Sequence, residues 1–579
     1  LSIVDYVMTR TRNRKLRPME TKWVVHDQPN PMVDHLINEV GVSRLIAQVM
    51  VNRGIDSVQA GRHYVSTNST LSYGEWAGNR QTEIAADRII TAIINNELII
   101  VYGDFDADGV TSCAAMMTTL KLLGAKNLKP YIPKRVDEGY GVNKEALRTL
   151  AKRGAKLVIT VDCGIRSIEE ARFCRDECGM DMIITDHHNF GNDIPDSLAL
   201  INPKDPRYAY TDPMLAGAGV AFRFGEYLYR YAMGSNAIKK PRMEWGEISS
   251  LLTQMVCIGT VADLVPLNEI YNRVIVKHGL SEYKRNPHVG VKALAEASRL
   301  HYGLTSTELG FNLGPRINAA GRLQDAMLAY RMLMSPDYEE AFIRASELNT
   351  LNERRQELTK STYEQAKLIL GSEIDSNPYM AFIAGEGFTP GIVGLVAGKF
   401  MNELNRVSLV LEVSHGEAHG SARSIKGLSI TAMLDKCADL LIAYGGHNQA
   451  AGFPLKAENI PEFKARLQSA IEANLNAEDM IPSISIDSVI PIQDVNDEFL
   501  KSLRVLEPTG KANEQPVFQS ERIVLSERRK IGKNNDHVSF TISTGPGKEL
   551  NGVAFGWGDR IGMLGVPLNV AYTVDKNVY

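Results

Sequence analysis

Three aspartates, Asp104, Asp106 and Asp108, stand at alternate positions in the stretch "VYGDFDADGVTS", directly after the apolar run "ELIIVYG". Carboxylates this close together repel one another, and each raises the pKa of its neighbours unless a positive charge lies among them. Carboxylate oxygens are the ligands that Mg²⁺ and Mn²⁺ prefer. The spacing therefore predicts that a cation binds where this apolar run ends.

Further polar side chains follow other apolar runs. Asp162 stands in "VITVDCGI", Asp186, His187 and His188 in "IITDHHNF", and Asp263 in "GTVADLVPL". Carboxylates and imidazoles together suit manganese, magnesium or zinc. A carboxylate can bridge two ions, and two ions can stabilise both the attacking and the leaving oxygens of a phosphoryl transfer. These residue types indicate metal-dependent chemistry that needs no serine or cysteine nucleophile.

Each of these residues, taken alone, has a simpler explanation. A single aspartate at a strand end is usually a helix cap or a turn residue, and Asp162 before Cys-Gly could be one. The combination of D-x-D-x-D-G, a later strand-end aspartate, D-H-H and Asp263 favours metal binding. A thiolate zinc site is disfavoured because Cys174 and Cys178 have no second cysteine pair at ligand spacing. We expect reduced thiols that pack as small apolar groups.

The region that carries these residues, from about 79 to 265, alternates short apolar runs with helical patterns. "ELIIVYG", "KLVITVD", "DMIITDHH" and "LALINP" read as strands, and "GVTSCAAMMTTLKLLG" and "SIEEARFCRDECG" read as helices. Such alternation predicts βαβ units around a parallel sheet. Ligands collect at the carboxyl ends of the strands in open parallel sheets. The acidic and histidine residues fall at those ends, so we expect them to meet at one edge.

The rest of the chain predicts three further kinds of structure. Ser335, Pro336 and Asp337 suit the first turn of a long helix that Gly371 can end. A second α/β pattern follows, and the last hundred residues read as the short strands of a small barrel. We therefore expect a multidomain α/β protein with these parts: an N-terminal helical extension (1–78), a parallel-sheet catalytic domain (79–334), a long connecting helix (335–371), a second α/β substrate-binding domain (372–478) and a C-terminal β-barrel (479–579).

Composition limits the class of protein. The chain has 579 residues, of which 44% are hydrophobic and 23% charged, as in soluble globular proteins of several domains. A net charge of −4 excludes a strongly basic surface, although a local basic groove can still bind nucleic acid. No apolar run is long enough to span a bilayer, and the first residues lack the order of a secretory signal. We expect a cytoplasmic protein without membrane contact.

The four acidic motifs, in their order, resemble the DHH phosphoesterase superfamily. Further segments point more narrowly to its RecJ family, the single-strand-specific 5′ to 3′ exonucleases. These segments are "PKRVDEGYGV", "LAGAGVAF", "CIGTVADLVPL", "LGPRINAAGRL", "GSARSIKGLSI", "GGHNQAAG" and, more loosely, "LEPTGKANEQPVF". The resemblance runs from about residue 79 to the last residue, and it implies an oligonucleotide-binding (OB-like) fold for the C-terminal barrel.

The resemblance implies two divalent cations, Mn²⁺ or Mg²⁺, and a ligand set for each. Asp106 and Asp162 would hold one ion. The other ion would be held by Asp108, His187 and Asp263 together with Asp162, which would bridge the two.

Three neighbouring residues would have accessory roles by the same resemblance. Asp104 would bind a metal through water or orient the other ligands. His188 would contact a metal or the scissile phosphate, and Asp186 would support the loop from behind. The catalytic set is thus Asp106, Asp108, Asp162, His187, His188 and Asp263.

Substrate contacts are also implied by the resemblance. Arg135 is the candidate for the 5′-phosphate, because the planar guanidinium pairs with phosphate oxygens. The groove that admits the strand would be lined by Arg316, Asn318 and Arg322. The second α/β domain would supply Arg423, Ser424 and His447. In the barrel, "SERRKIGKNNDHVSF" offers Arg528, Arg529, Lys530 and Lys533 near Phe540, although a charge run is usually a solvated face.

The resemblance implies a two-metal exonuclease that degrades single-stranded DNA 5′ to 3′ to 5′-mononucleotides in DNA repair and recombination. We expect a monomer, with single-strand-binding protein and a helicase as candidate partners. One alternative is an oligoribonucleotide or cyclic-dinucleotide phosphodiesterase of the same superfamily. Another is a non-catalytic, Cdc45-like replication scaffold, whose signature would be lost metal ligands.

The chain also departs from the family pattern. Tyr102 stands where many superfamily members carry a histidine ligand. "EPTGKAN" lacks a phenylalanine and a glycine of the usual turn, and the last strand ends where the family's barrel continues. We therefore expect the barrel to be incomplete or to close differently.

Overall fold

The computed structural model describes most of the chain, in two compact units. The described residues are 2–5, 21–66, 76, 79–134, 138–139, 141–208, 210, 212–235, 237–241, 243–301, 303–371 and 377–575. The first unit comprises Arg62–Arg355 and Glu507–Glu514, and the second comprises Leu1–Gly61, Gln356–Leu506 and Gln515–Tyr579. The short segment Glu507–Glu514 therefore belongs to the first unit although its neighbours in sequence belong to the second.

The secondary structure of the described residues is mixed α/β. The strands are β1 (Ser2–Asp5), β2 (Lys22–Val25), β3 (Leu98–Gly103), β4 (Leu128–Tyr131), β5 (Ala155–Val161), β6 (Asp181–Thr185), β7 (Ala199–Ile201), β8 (Met380–Gly385), β9 (Val407–Ser414), β10 (Glu417–Arg423), β11 (Gly445–His447), β12 (Ala450–Lys456), β13 (Ser483–Ile486), β14 (Ser488–Val489), β15 (Phe518–Ile523), β16 (Ser526–Ile531), β17 (His537–Gly545), β18 (Lys548–Ala554) and β19 (Leu568–Asp575). The helices are α1 (Pro31–Val40), α2 (Arg44–Asn52), α3 (Val58–Val65), α4 (Arg80–Ile94), α5 (Ala107–Leu122), α6 (Lys144–Lys152), α7 (Ile168–Asp176), α8 (Gly217–Ser235), α9 (Trp245–Ala262), α10 (Ile270–Arg285), α11 (Val289–Ala297), α12 (Ser306–Glu308), a π-helical turn (Leu309–Leu313), α13 (Gly314–Leu323), α14 (Met327–Leu333), α15 (Tyr338–Leu370), α16 (Pro390–Leu404), α17 (Ile430–Asp435), α18 (Ile460–Glu472) and α19 (Asp497–Leu503).

The first unit is built on a five-stranded sheet in the order β4-β3-β5-β6-β7. All four pairings are parallel, which confirms the sheet predicted from the alternating pattern. Every residue of β3 is buried, and so is nearly every residue of β5, because helices cover both faces of such a sheet. Their apolar sequences "LIIVYG" and "AKLVITV" suit this environment. The sheet therefore fixes where its strand ends lie.

The second unit contains two larger sheets. One has the order β11-β12-β10-β9-β8 and a single parallel pairing, β8 with β9. The other has the order β14-β15-β19-β1-β18-β17-β16 and forms the β-rich C-terminal domain. In it, β1 lies between β19 and β18, so a strand from the N-terminal region is part of the C-terminal sheet.

The prediction that the N-terminal region is mainly helical was incomplete. Helices α1 to α3 are present, but β1 joins the C-terminal sheet and β2 pairs with β13 in parallel. Both strands have only four residues, "SIVD" and "KWVV", too few to show a clear period. Their partners lie more than four hundred residues away in sequence, where local patterns give no signal.

The long helix forms, but it begins later than predicted. Helix α15 has 33 residues, which corresponds to a length of about 50 Å. Its first turn is capped by Asp337, whose Oδ1 accepts a hydrogen bond from the Glu340 N–H at 2.9 Å. Ser335 is not the cap, because its hydroxyl donates to the Arg331 carbonyl at the end of α14. Within the described part of the chain, no helix is both long and apolar enough to cross a membrane.

Candidate metal centre

Four neighbouring strands of the parallel sheet end in a polar residue. Asp104 follows β3, Asp162 follows β5, Asp186 follows β6 and Asn202 follows β7, and all four side chains are buried. The carboxyl ends of parallel strands lie at the same edge of a sheet, so these residues come together there. The structure thus gathers at one edge the acidic groups that the sequence places far apart.

Two of the three aspartates of the opening stretch, Asp106 and Asp108, are each held by a different helix N-terminus. Asp106 caps α5, with Oδ1 accepting from the N–H groups of Asp108 and Gly109 at 2.9 and 3.1 Å. Asp108 accepts from the first N–H groups of α8, Gly217 to Oδ2 at 2.7 Å and Ala218 to Oδ1 at 2.9 Å. The positive ends of two helices therefore stabilise carboxylates that would otherwise only repel one another.

Asp162 adopts an unusual backbone conformation, with φ at +61°. Aspartate enters this left-handed region more readily than most residues other than glycine. The first residue of α8 must then be small, because a Cβ on Gly217 would lie 2.5 Å from Asp162 Oδ1. This oxygen is buried and makes no hydrogen bond in the structure, although His187 Nε2 lies 3.1 Å away.

Asp186 holds the histidine loop from behind, as the resemblance implied. Its Oδ1 accepts from the N–H groups of His187 and His188 at 2.7 and 3.1 Å and lies 2.8 Å from His188 Nδ1. Its Oδ2 accepts from the Ile165 N–H at 2.9 Å. Burial alone would lower the pKa of His188, but the charge of Asp186 and their hydrogen bond raise it to about 9. The contact directs the Nε2 edge of His188 away from Asp186.

The donor atoms fall into overlapping groups that could each hold an ion. Oxygens of Asp104, Asp106 and Asp162 lie within 4.8 Å of one another, as do donor atoms of Asp108, His187 and Asp263. A further group of this kind consists of donor atoms from Asp162, Asp186, His187 and His188. His187 connects the groups, because its Nε2 lies 3.7 Å from Asp263 Oδ2 and 3.8 Å from Asp108 Oδ2 in one group and 3.1 Å from Asp162 Oδ1 in the others.

The buried carboxyl groups of this cluster have raised pKa values, which a bound cation would lower. Burial, and then the neighbouring Asp106, raise the pKa of Asp108 to about 7. Burial, followed by the charge of Asp108, also raises the pKa values of Asp162 and Asp263 well above the ordinary range. The oxygen and imidazole donors suit Mn²⁺ or Mg²⁺, and Asp162 Oδ1 offers a buried lone pair for such an ion. The residues therefore fit divalent cations.

The structure gives two of the predicted groove residues additional contacts. Asn318 Oδ1 accepts from the Ala107 N–H at 2.7 Å, so this side chain helps to fix the start of α5. Arg316 donates from Nε to Asn349 Oδ1 at 3.0 Å and from Nη1 to the Asn312 carbonyl at 2.8 Å. Arg322 is half-buried on α13. Arg135, the candidate for the 5′-phosphate, lies outside the described residues.

The predicted contacts of the second α/β domain differ in character. Arg423 and His447 lie on β10 and β11, and both are opposite Ala450 of the intervening strand β12. They therefore share one face of the sheet, two strand spacings or about 10 Å apart. Ser424 is buried, and its hydroxyl donates to the Leu428 carbonyl at 2.9 Å, so it supports a loop. In the C-terminal sheet, Arg528, Arg529 and Lys530 are exposed on the edge strand β16.

Tyr102 does not reach the metal centre. It is fully buried in β3, and its hydroxyl donates to the Gly141 carbonyl at 3.1 Å. Burial raises its pKa above the ordinary value. The position that carries a histidine in many superfamily members is therefore occupied by a packing residue.

Sequence reasoning missed four residues with a candidate role. Asn202 is fully buried and joins two loops, because its Nδ2 donates to the His188 carbonyl and its Oδ1 accepts from the Lys204 N–H, both at 2.9 Å. Lys204 is half-buried, and its side chain interacts electrostatically with Asp263 and Asp186. The polar residues after the run "LALI" were the available signal. The other two residues are Phe311, which is 80% exposed on the π-helical turn, and Gly217, the first residue of α8, in "LAGAGVAF".

Family models match three parts of the chain. They are the DHH family N-terminal domain at residues 98–260, the DHHA1 domain at 376–473 and the RecJ OB domain at 486–579. These matches confirm the predicted fold class, with a parallel-sheet DHH domain, a second α/β domain and an OB-like C-terminal domain.

Curated relatives match nearly the whole chain. The single-stranded-DNA-specific exonuclease RecJ of Bacillus subtilis is 38% identical over 93% of this chain, which spans 66% of that relative, just under two thirds of its length. The protein of the same name from Salmonella typhimurium is 31% identical over 92% of this chain and 93% of its own length.

Solved structures agree with the sequence relatives. The crystal structure of Thermus thermophilus RecJ in complex with Mn²⁺ has a TM-score of 0.79 and 28% identity, and it covers 96% of this chain and 77% of that one. The same protein in complex with Mg²⁺ gives a TM-score of 0.74. The four ordered motifs, the geometry of the candidate ligands and these near full-length matches agree. Together they show that the chain belongs to the RecJ family of DHH phosphoesterases.

Proposed function

We propose that this protein is a two-metal exonuclease that hydrolyses single-stranded DNA 5′ to 3′ and releases 5′-mononucleotides. One observation carries the proposal: two groups of candidate ligands, Asp104/Asp106/Asp162 and Asp108/His187/Asp263, lie side by side at the edge of the parallel sheet. His187 Nε2 lies 3.1 Å from Asp162 Oδ1, which brings the two groups into contact. The relatives are named single-stranded-DNA-specific exonucleases, which supports this substrate.

In this proposal each metal has its own ligands. Asp106 and Asp162, with Asp104 beside them, would hold one ion. Asp108, His187 and Asp263 would hold the second, with Asp162 shared. When bound, Mn²⁺ or Mg²⁺ supplies positive charge that stabilises the attacking and the leaving oxygens of phosphodiester hydrolysis.

The protein's own groups hold this arrangement in place. The N–H groups at the N-termini of α5 and α8 orient Asp106 and Asp108 before any ligand binds. Asp186 holds the proton on His188 Nδ1 and thereby aims Nε2 towards a metal or the scissile phosphate. Lys204, with its charge near Asp263 and Asp186, is a further candidate contact for a phosphate oxygen.

Groups outside the metal centre would bind the single strand. Arg135 remains the candidate for the 5′-phosphate, and Arg322 and Arg316 for the groove. Arg423 and His447, which share one face of their sheet, would contact backbone phosphates of the DNA. The exposed ring of Phe311 suits stacking against an unpaired base, a contact that every base can make. These contacts would hold a strand without reading its sequence.

The cellular setting is also a proposal. We infer a role in DNA repair and recombination in the cytoplasm, with single-strand-binding protein and a helicase as candidate partners and a monomer as the working unit. The domain limits proposed from the sequence, with the catalytic domain at 79–334 and the substrate-binding domain at 372–478, provide the truncations for testing such partners.

A digest of end-labelled DNA tests the function directly. Single-stranded DNA labelled at the 5′ or at the 3′ end is incubated with the metal-free protein, with and without added Mn²⁺. We expect a labelled mononucleotide at once from the 5′ label, a shrinking ladder from the 3′ label, and no product without metal. Asp162→Asn serves as the catalytically impaired control. Preferential hydrolysis of dinucleotides or cyclic dinucleotides would instead support a short-oligonucleotide phosphodiesterase.

A further inference from the structure

The segment Glu507–Glu514, "EPTGKANE", lies far from the metal motifs in sequence but packs within the unit that carries them. We call it the clasp. The Gly510 N–H donates to the Asn513 carbonyl at 2.9 Å, and the Asn513 N–H donates to the Gly510 carbonyl at 3.1 Å. This pair of hydrogen bonds closes a tight turn. The proposed function gives this turn no role.

A buried arginine on α10 holds the first two residues of the clasp. Arg273 donates from Nη2 to the Glu507 carbonyl at 2.7 Å and from Nη1 to the Pro508 carbonyl at 3.3 Å. Its guanidinium also lies 3.8 Å from the ring centre of Tyr64, and its Nε donates to the Tyr64 carbonyl at 2.9 Å. An arginine this deeply buried needs such partners, because its charge would otherwise be costly to desolvate.

The turn of the clasp is fixed by side-chain hydrogen bonds. The Tyr64 hydroxyl donates to Asn513 Oδ1 at 2.6 Å, and Asn513 Nδ2 donates to the Pro508 carbonyl at 2.7 Å. Asn513 is buried, so losing either contact would leave a polar group without water to replace it. The clasp is therefore a rigid element of the first unit.

The clasp contacts the loop that follows Asp263. The Leu267 N–H donates to the Lys511 carbonyl at 2.8 Å. Gly510 packs against the same residue so closely that a Cβ on it would lie 2.6 Å from Leu267 Cδ1. From the other side, Asn272 Nδ2 donates to the Pro266 carbonyl at 3.0 Å. The loop is thus held between α10 and the clasp.

This loop begins with a backbone conformation that needs support. Asp263 is the cap at the carboxyl end of α9, and Leu264 directly after it has φ at +61°, in the left-handed region that a leucine rarely adopts. Leu264 is also exposed, so burial of its own side chain does not stabilise the turn. Such conformations persist where surrounding contacts enforce them. Here they include the hydrogen bond from Asn272 to the Pro266 carbonyl and the one from the Leu267 N–H to the Lys511 carbonyl.

We propose that the clasp is a positioning element for metal binding: by holding the loop 264–267, it sets the direction of the Asp263 carboxylate towards His187 and Asp108. The inference rests on the proposed function, because it takes Asp263 to be a ligand of the second ion. It adds that a segment more than two hundred residues away in sequence determines how well that ion is held.

A Mn²⁺ titration of the metal-free protein by calorimetry tests the proposal. Asp263→Asn identifies the binding phase that depends on this carboxylate. Gly510→Ala places a methyl group against Leu267, and we expect it to weaken that phase by about tenfold, as changes behind metal ligands do, while the other phase stays within about twofold. Gly246→Ala is the matched control, because it lies in α9 itself and a Cβ there meets nothing within 4 Å.

The double variant Gly510→Ala/Leu267→Val separates positioning from general damage. Removing Leu267 Cδ1 makes room for the added methyl group, so we expect recovery of the Asp263-dependent phase. If Gly510→Ala does not fold, as judged by near-ultraviolet circular dichroism, Tyr64→Phe takes its place. That variant removes only the hydroxyl that donates to Asn513, and we expect a weakening of about threefold.

The outcomes distinguish a failure of the proposed ligand set from a failure of the clasp inference. If Asp263→Asn leaves both phases unchanged, Asp263 is not a ligand and the proposed ligand set falls. If Asp263→Asn removes a phase but the clasp variants bind Mn²⁺ like the wild type, the ligand set stands and the clasp inference is wrong. Equal weakening of both phases, without recovery in the double variant, would likewise contradict a positioning role.

Discussion

The two five-stranded α/β sheets of this protein present their polar residues in opposite ways. In the sheet of the first unit all strands are parallel, so β3, β5 and β6 deliver Asp104, Asp162 and Asp186 to one edge. In the sheet of the second unit most neighbours are antiparallel. There the strand register, and not the position of the strand ends, places Arg423 and His447 on one face of the sheet, on either side of Ala450.

The burial of these groups differs as much as the topology. The acidic side chains Asp104, Asp162 and Asp186 are each at most 3% exposed, whereas His447 is exposed and Arg423 half-buried. Charges buried together need counter-charges at fixed positions, while exposed charges attract a ligand over a distance and are weakened by salt. The buried polar edge of the parallel sheet is therefore suited to chemistry, and we propose that the mixed sheet binds the charged DNA strand.

We expect substitution of Asp162, at the polar edge of the parallel sheet, to cause the largest loss of activity. Asp162→Ala should lower hydrolysis by on the order of 10³-fold or more, because both ion groups lose a shared ligand, while binding of single-stranded DNA stays within about twofold. Single-turnover cleavage and fluorescence anisotropy measure the two quantities. Asp162→Asn, which tolerates the left-handed backbone, is the control for strain. Full activity in either variant would sink the two-metal mechanism.

Asp186 tests the support behind the histidines. Asp186→Asn removes the negative charge that contributes most to raising the pKa of His188, so this pKa should fall from about 9, although Asp263 and Asp104 still raise it. Activity should fall about 10- to 100-fold, as for other residues that orient ligands. The imidazole resonances of the metal-free protein report the pKa. An unchanged His188 titration would show that Asp186 does not set its charge.

The pH dependence of metal binding should follow the buried carboxyl groups. Because the pKa of Asp108 is raised to about 7, the metal-free protein keeps protons that Mn²⁺ must displace. Affinity should therefore rise from pH 6 to pH 8, by about tenfold per displaced proton for each pH unit below that pKa. The thermal midpoint without metal should fall as the pH rises from about 4 to about 7, because over that range the folded chain keeps a proton on Asp108 that the unfolded chain has released. Affinity that is flat with pH would contradict this account.

Arg423 should give the smallest effect, and one confined to binding. Arg423→Ala should weaken single-stranded DNA binding uniformly across sequences and reduce its salt slope by about one, with kcat and Mn²⁺ affinity unchanged. Arg466→Ala is the matched control, because this arginine is half-buried like Arg423 and is already paired with Asp439 and Glu462. A fall in kcat would place Arg423 in the chemical step and weaken the division of roles between the two sheets.

The sequence predicted the parallel sheet and its polar edge because those features are local. Apolar runs, glycine-rich turns and the residue after each run lie within a few positions of one another, and Asp162 and Asp186 follow their strands directly. The loop-supporting role of Asp186, two residues from His188, was expected from the family resemblance and not from the local pattern.

Contacts between distant segments were not predictable in this way. Nothing near Asp108 indicates that the N–H groups of Gly217 and Ala218 hold it, and nothing near Asp263 points to the clasp. Asn318 was expected to line a groove, and the structure adds a contact at the start of α5 that only the folded chain reveals. Strand β1 is the clearest case, since four residues find their place only between β18 and β19.

The number of Mn²⁺ ions bound per chain tests the central claim most directly. Equilibrium titration of the metal-free protein should give two ions for the wild type, one tight ion for Asp263→Asn, and no tight ion for Asp162→Asn, because Asp162 is shared. A single ion in the wild type, or two ions that remain in Asp162→Asn, would contradict the account of two metals joined by this carboxylate.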